Sequence, residues 1–338
     1  MSGLGQNMSG SKATPDIGVC IGKLSLRHPF MLGSGPIGVR ADDLLAYGKV
    51  AGAIITKSIS AKPSRGSPQP RIVKIDRDGM INYEGGPNPG IDAFVSTLRE
   101  VRPEIPCPII GSISPRTLTH STGLESVVEK FVAAGADAIE LDFKYIYDEQ
   151  KGKAEFQPGS MASVIRRARN TANVPIIAKL AFGSIPLDAL AHAAEDGGAT
   201  AISAINTVFP AMRISLRSRR PMLSMQYGGL SGAPIRPLAV AAIFRLRQAT
   251  PLPLIGVGGI VEAEDATEFF LAGANAVQVY TTAQIRGPAI FSTLANDLIR
   301  VLDDMKAASL SEIIGAGHQS GPRRQEDHQW DAIAADEL

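Results

Sequence analysis

Short apolar runs recur along this chain, each followed by an amphipathic stretch long enough for a helix. The runs are "PFMLGSG" (29–35), "GAIITKS" (52–58), "PIIGSIS" (108–114), "AIELDF" (138–143), "PIIAKLA" (175–181), "AISAIN" (201–206), "PLIGVGG" (253–259) and "AVQVYT" (276–281). They lack polar alternation, as parallel strands buried on both faces do. Between them lie helical patterns such as "GIDAFVSTLREV" and "GLESVVEKFVAAGA". Three of these end in "AAGAD", "DGGAT" and "LAGAN", where a glycine can take the left-handed conformation that stops a helix. Eight such units predict an α/β fold, a (β/α)8 TIM barrel; a doubly wound open sheet is the rival architecture. Two insertions break the rhythm, Ser58–Pro89 after the second strand and Thr207–Pro234 after the sixth. Both follow strand C-terminal ends, where barrels of this kind build their active sites, so both are expected to cover a pocket.

Composition narrows the partners. Across 338 residues the formal net charge is +1, which gives no global attraction for nucleic acid or an anionic membrane. The two cysteines, Cys20 and Cys107, form no metal-ligand spacing and suit a reducing compartment, so a cytoplasmic protein is expected. No apolar run reaches the ~20 residues of a membrane span. Residues 1–16 read as a flexible polar arm without a signal-peptide core, 17–315 as the barrel and 316–338 as a flexible tail. His28, His120, His192, His318 and His328 match no metal spacing; His28, before Pro29, reads as a strand-entry residue. No metal is assigned. Arg213, Arg217, Arg219 and Arg220 in the second insertion read as a solvated face.

The seventh strand ends in "GVGGI" and the eighth in "VYTT". Adjacent glycines let backbone N–H groups approach an anion, and loops after these two strands recur as phosphate sites in barrels. Gly258, Gly259, Thr281 and Thr282 are therefore candidate phosphate ligands; the alternative is that the glycines only permit tight turns. Lys57 ends the second strand and Lys179 sits inside the fifth. A buried lysine needs an anionic partner, either an anionic cofactor such as reduced flavin or a carboxylate on a neighbouring strand. The fourth strand leads into Asp142, Lys144, Tyr145, Tyr147 and Asp148, which then face the catalytic mouth.

Together these segments resemble the dihydroorotate dehydrogenase family of FMN-dependent barrels. The resemblance covers about residues 17–315 and rests on "IITKSISAKPSRGSPQPR", "GMINYEGGPNPGID", "GGLSGAPIRPLAV" and "LIGVGGIVEAEDATEFFLAGANAVQVYTT". The second insertion is most similar to the soluble NAD-linked type, whose catalytic chain works with an iron–sulfur flavoprotein. The resemblance implies FMN contacts from Gly35, Lys57, Ser58, Lys179, Gly229, Gly258, Gly259 and Thr281, with Ser112 where an asparagine is usual. Asn82 and Asn206 match substrate asparagines, with Thr207 beside them. A homodimer and an electron-transfer partner are further implications. Tyr280 replaces a usual glycine beside the phosphate.

The family's fourth strand normally ends in Glu-Leu-Asn-x-Ser-Cys-Pro-Asn or its serine version, in which asparagines hold the substrate and the cysteine or serine removes a proton. Here Asp142, Tyr145 and Tyr147 occupy those positions. An ionised aspartate only accepts hydrogen bonds where an amide also donates, and Glu84 adds a second carboxylate. Such a wall suits a substrate with N–H donors or less negative charge than dihydroorotate. Tyr145 could be the acid or base, aided by Lys57 or Lys144; the alternative leaves Asp142 or Asp148 in that role. The expectation is an FMN-dependent oxidoreductase acting on a CH–CH or CH–NH group of a small polar molecule other than dihydroorotate. A genuine dihydroorotate dehydrogenase with an unusual base and a non-catalytic flavin-binding subunit are the alternatives.

Overall fold

The computed structural model describes residues 14–76, 78–119, 123–144, 146–148, 152–154 and 156–319. Eight parallel strands close into a barrel: β1 (Phe30–Leu32), β2 (Ala53–Ile55), β3 (Ile109–Ile113), β4 (Ala138–Phe143), β5 (Ile176–Leu180), β6 (Ala201–Ala204), β7 (Leu254–Val257) and β8 (Ala276–Val279). Each expected strand is present. Nearly every strand residue is buried, because one face meets the helices and the other fills the barrel.

The helix following each strand covers the outside. These are α1 (Ala41–Gly48), α2 (Ile91–Val101), α3 (Leu124–Ala133), α4 (Pro158–Thr171), α5 (Leu187–Gly197), α6 (Arg236–Ala249), α7 (Ala263–Leu271) and α8 (Ile290–Asp304). In α2 the buried residues are Ile91, Phe94, Val95, Leu98 and Val101, the 3–4 spacing of one helical face. The three expected glycine stops hold, with Gly135, Gly198 and Gly273 at φ of 94°, 80° and 106°.

Two features carry no strand-to-helix signal. An N-terminal hairpin, Val19–Ile21 with Leu24–Leu26, packs Ile21, Leu24 and Leu26 against Met31, Ile55, Ile110, Ile177 and Ile255, closing the barrel floor. The two insertions join in one four-stranded antiparallel sheet, ordered Val208–Ala211, Gly228–Gly232, Gly79–Asn82, Ile72–Asp76. Gly229 lies opposite Asn82 in it. A further short pair, Ile146–Asp148 with Gly152–Ala154, follows β4 where the sequence suggested only a loop.

The boundaries also differ slightly from expectation. Asp16, assigned to the arm, exchanges backbone hydrogen bonds with Ala308 and Leu310. His318, assigned to the tail, stacks on Phe244 at 3.8 Å between ring centroids and hydrogen-bonds the Ala272 carbonyl at 3.0 Å. Residues 1–13 of the expected arm and 320–338 of the expected tail lie outside the described residues.

His28 is a strand-entry residue, as expected. Its Nε2 meets the Val50 carbonyl at 2.8 Å and Nδ1 accepts from the Phe30 amide, while burial lowers its pKa below the usual histidine value. Cys107 is in the core, where burial pushes its thiol up to about 11. Arg213, Arg217, Arg219 and Arg220 are exposed, Arg213 donating to the Ile75 carbonyl.

Phe269 ties α7 to β7: it is fully buried, and a Cβ on Gly256 would come within 2.4 Å of its ring. Phe269→Ala should therefore lower unfolding stability by about 3–5 kcal/mol, read from the denaturant midpoint.

Candidate functional site

The C-terminal ends of all eight strands open on one rim, and two connected clefts lie there beneath the sheet built by the insertions. The inner cleft, about 1040 Å³, runs from Gly33–Pro36 across Lys179 to Gly258, Gly259, Thr281 and Thr282. The outer, about 850 Å³, reaches Tyr83, Arg116, Phe209 and Gly229. Lys57, Ser58, Asn82, Glu84, Asp142 and Lys144 line both. Asp142 and Lys144, at the end of the fourth strand, therefore stand at the boundary between the two clefts.

The anion end of the inner cleft is built by backbone. Gly258 and Gly259 have φ of 129° and 81°, and a Cβ on Gly259 would lie 2.8 Å from the Arg236 nitrogen, so a side chain fits neither the conformation nor the space. Asp265 holds this turn: its carboxylate accepts hydrogen bonds from the Val261 and Glu262 amides and pairs with Arg236. Thr282 donates to the Ile260 carbonyl at 2.6 Å, joining the two expected phosphate loops, and Thr281 donates to Ser231 at 3.1 Å, tying the second of them to the insertion sheet. Both hydroxyls are thus engaged within the protein. Tyr280 occupies the space left by Gly35, where a Cβ would come 2.1 Å from the tyrosine ring. Its hydroxyl accepts from the Ile37 amide, and burial raises its pKa far above the usual phenol value.

At the centre, Lys179 has a carboxylate on a neighbouring strand as its partner and also faces the inner cleft. Its ammonium lines the inner cleft, donating to Ser34 at 3.2 Å and to the Gln278 carbonyl oxygen at 3.3 Å, and it lies 3.7 Å from the Glu140 carboxylate. Glu140 and Gln278 were not picked out from the sequence. Their signal was the same as that of Lys179, a polar residue within an apolar strand.

The residues expected to meet the substrate form a bonded set. Lys57 donates to Glu84 at 2.8 Å. Asp142 accepts from Asn206 Nδ2 at 2.8 Å through one oxygen and from Ser58 at 3.2 Å through the other. Thr207 donates its amide to Asn206 Oδ1 at 2.8 Å, which fixes that amide. Asn82 donates to the Gly229 carbonyl at 3.4 Å.

Two expected cofactor contacts stand elsewhere. Ser112 is fully buried and does not line either cleft; it supports Ser58 from behind, 3.0 Å between hydroxyls. Gly229 lines the outer cleft, with Thr207 over its α-carbon. Tyr145 and the side chain of Tyr147 lie outside the described residues. Among the described residues no group of three His, Cys, Asp or Glu side chains could hold a metal, and no helix is long and apolar enough to cross a membrane.

The site fits FMN on its own chemistry: a glycine cradle that any Cβ would fill, and an ammonium in the cleft floor. The family model described as dihydroorotate dehydrogenase matches residues 17–302. A dihydroorotate dehydrogenase B (NAD(+)) catalytic subunit of Desulforudis audaxviator is 36% identical over 306 residues, covering 90% of this chain and 98% of the relative. One of the same name from Pyrococcus horikoshii is 35% identical over 294 residues, covering 86% and 94%. A crystal structure of the Eimeria tenella dihydroorotate dehydrogenase in complex with ferulenol shares the fold, with a TM-score of 0.74 at 21% identity over 94% of this chain and 92% of that one. With the barrel, the glycine cradle and these matches in agreement, the chain belongs to the dihydroorotate dehydrogenase family, FMN-dependent oxidoreductases acting on CH–CH bonds.

Proposed function

We propose that this chain oxidises dihydroorotate at the junction of its two clefts, with FMN in the inner one. The observation that carries this is the convergence of Lys57, Asn82 and Asn206 on a substrate wall directly beside the Lys179 floor and glycine cradle. The relatives' shared name favours dihydroorotate over the different substrate expected from the altered loop. "Catalytic subunit" in that name also supports an electron-transfer partner for this chain, and a homodimer is our default assembly.

Flavin supplies the hydride acceptor. The protein's part is to hold the ring and manage a proton. Asn82 keeps its amide oxygen and Asn206 its second N–H for the substrate, and Lys57 meets the substrate's negative charge in competition with Glu84. We assign the proton to Tyr145. Both oxygens of Asp142 already accept hydrogen bonds, and Glu84 is tied to Lys57, so neither carboxylate is a ready base. The cationic help expected for Tyr145 is weaker than the sequence suggested. Glu84 compensates Lys57, and burial pushes the Lys144 ammonium below the usual lysine range, against the opposing pull of Asp142. A phenol without strong cationic help titrates near ~10 and acts as a base only toward high pH.

A second reading rests on Asp142. Ser58 and Asn206 donate to its two oxygens and fix it in place, and a fixed carboxylate in the wall repels the carboxylate of dihydroorotate. A less anionic analogue with N–H groups would bind better, and Tyr145 as a proton donor would suit reduction of its double bond.

Anaerobic mixing with dihydroorotate decides between them. The first reading expects the flavin absorbance near ~450 nm to bleach as orotate forms. Persistent colour, in protein that dithionite still reduces, would sink it and support the second. Under the first reading Asp142→Asn should raise kcat/KM for dihydroorotate about tenfold, the equivalent of ~1.4 kcal/mol of relieved repulsion. The rate of flavin reduction should climb with pH toward ~10. Stopped-flow traces of Tyr145→Phe should lose that climb and fall about 10²–10⁴-fold, whereas Lys144→Met should keep it.

A further inference from the structure

Glu140 places a carboxylate at the centre of the barrel, and neither the hydride nor the proton step uses it. It is 0% exposed and lines neither cleft. One oxygen accepts from Gln278 Nε2 at 2.6 Å and from Ser203 at 3.0 Å. The other has no hydrogen-bond partner among the described residues and faces the Lys179 ammonium at 3.7 Å. A buried carboxylate is tolerated only beside a compensating charge, and here the compensating charge is the cleft-floor ammonium. Gln278 binds both, its carbonyl oxygen accepting from Lys179 and its amide donating to Glu140.

We propose that Glu140 is a positioning residue that sets the reduction potential of FMN: its carboxylate holds Lys179 and Gln278 in the cleft floor and offsets part of the lysine's charge. Reduced flavin carries more negative charge than oxidised flavin, so an uncompensated ammonium in the floor would favour the reduced form. The carboxylate behind it opposes that bias. The flavin is thereby kept able to pass its electrons onward. The proposal rests on FMN in the inner cleft and not on the identity of the substrate.

The test is a dye-equilibrated reductive titration of the holoprotein, which needs no substrate. Glu140→Gln, close to isosteric, should bind reduced FMN about tenfold more tightly relative to oxidised FMN, an upward shift of about 30 mV for a two-electron couple. Glu140→Asp keeps the charge and should stay near the wild-type potential. An unchanged or lowered potential in Glu140→Gln overturns the proposal, as does an equal shift in both variants, which would mark a merely structural role. Should Glu140→Gln fail to fold, Ser203→Ala replaces it. That change removes a donor's positive end from the carboxylate and should lower the potential; no change or a rise overturns the proposal. Wild-type protein without bound FMN would overturn the cofactor assignment itself, whereas FMN-loaded protein inert to dihydroorotate touches only the substrate.

Discussion

A lone ammonium inside a β-barrel is not a stable arrangement, and the pairing of Lys179 with Glu140 is what allows the floor of this site to exist. β4 and β5 are hydrogen-bonded neighbours, with Lys179 beside Asp142 in the register and Glu140 two positions earlier on the same strand. Alternation along a strand sends residues two apart to one face, so Glu140 and Asp142 both point into the barrel, one above the other. The deeper carboxylate lies against the lysine and the upper one lines both clefts. The charge of the floor and the charge of the wall are thus consequences of one strand's register. A one-residue slip would turn both acids to the helix layer.

The roof depends on a different constraint. Edge strands left by an insertion expose unpaired backbone groups, and neither insertion alone makes a sheet wide enough to satisfy them. Joined, they form four strands, with Gly228–Gly232 and Gly79–Asn82 at the centre. The pairing sets Asn82 opposite Gly229 and brings Glu84, just beyond that strand, over Lys57. Glu84 is therefore part of how the roof is latched to the barrel as well as part of the wall.

The sequence made the barrel legible because each strand is buried on both faces, a local property that appears as an unbroken apolar run. The glycine cradle was legible for a similar reason, since adjacent glycines at a strand end mark a backbone that no side chain permits. The floor hairpin and the shared roof were not. Asn82 and Gly229 are far apart in sequence, and no periodicity reports which strand a lone β segment will meet. Ser112 shows the same limit at one residue. Its alignment suggested a cofactor contact, but whether a strand residue reaches the cleft or stops behind Ser58 depends on the neighbouring strand's side chains. Glu140 was missed because a single acid in "AIELDF" has a meaning only once Lys179 is known to lie beside it.

The altered wall can then be understood as a hydrogen-bonded frame in which a carboxylate stands at position 142. An amide at position 142 would face Asn206 with both a donor and an acceptor, leaving each free to rotate its remaining groups toward a ligand. A carboxylate there accepts only, so Asn206 must turn its N–H to Asp142, and its carbonyl oxygen is taken by the Thr207 amide. The carboxylate therefore leaves the Asn206 amide held at both ends within the protein. The compensating donors at this junction are Lys57 and Lys144, the first paired with Glu84 and the second discouraged by burial from holding its charge. A ligand entering this junction accordingly meets charged groups that already have partners. A ligand carboxylate must compete with Glu84 for Lys57, whereas a ligand N–H needs only to join the donors already gathered on Asp142.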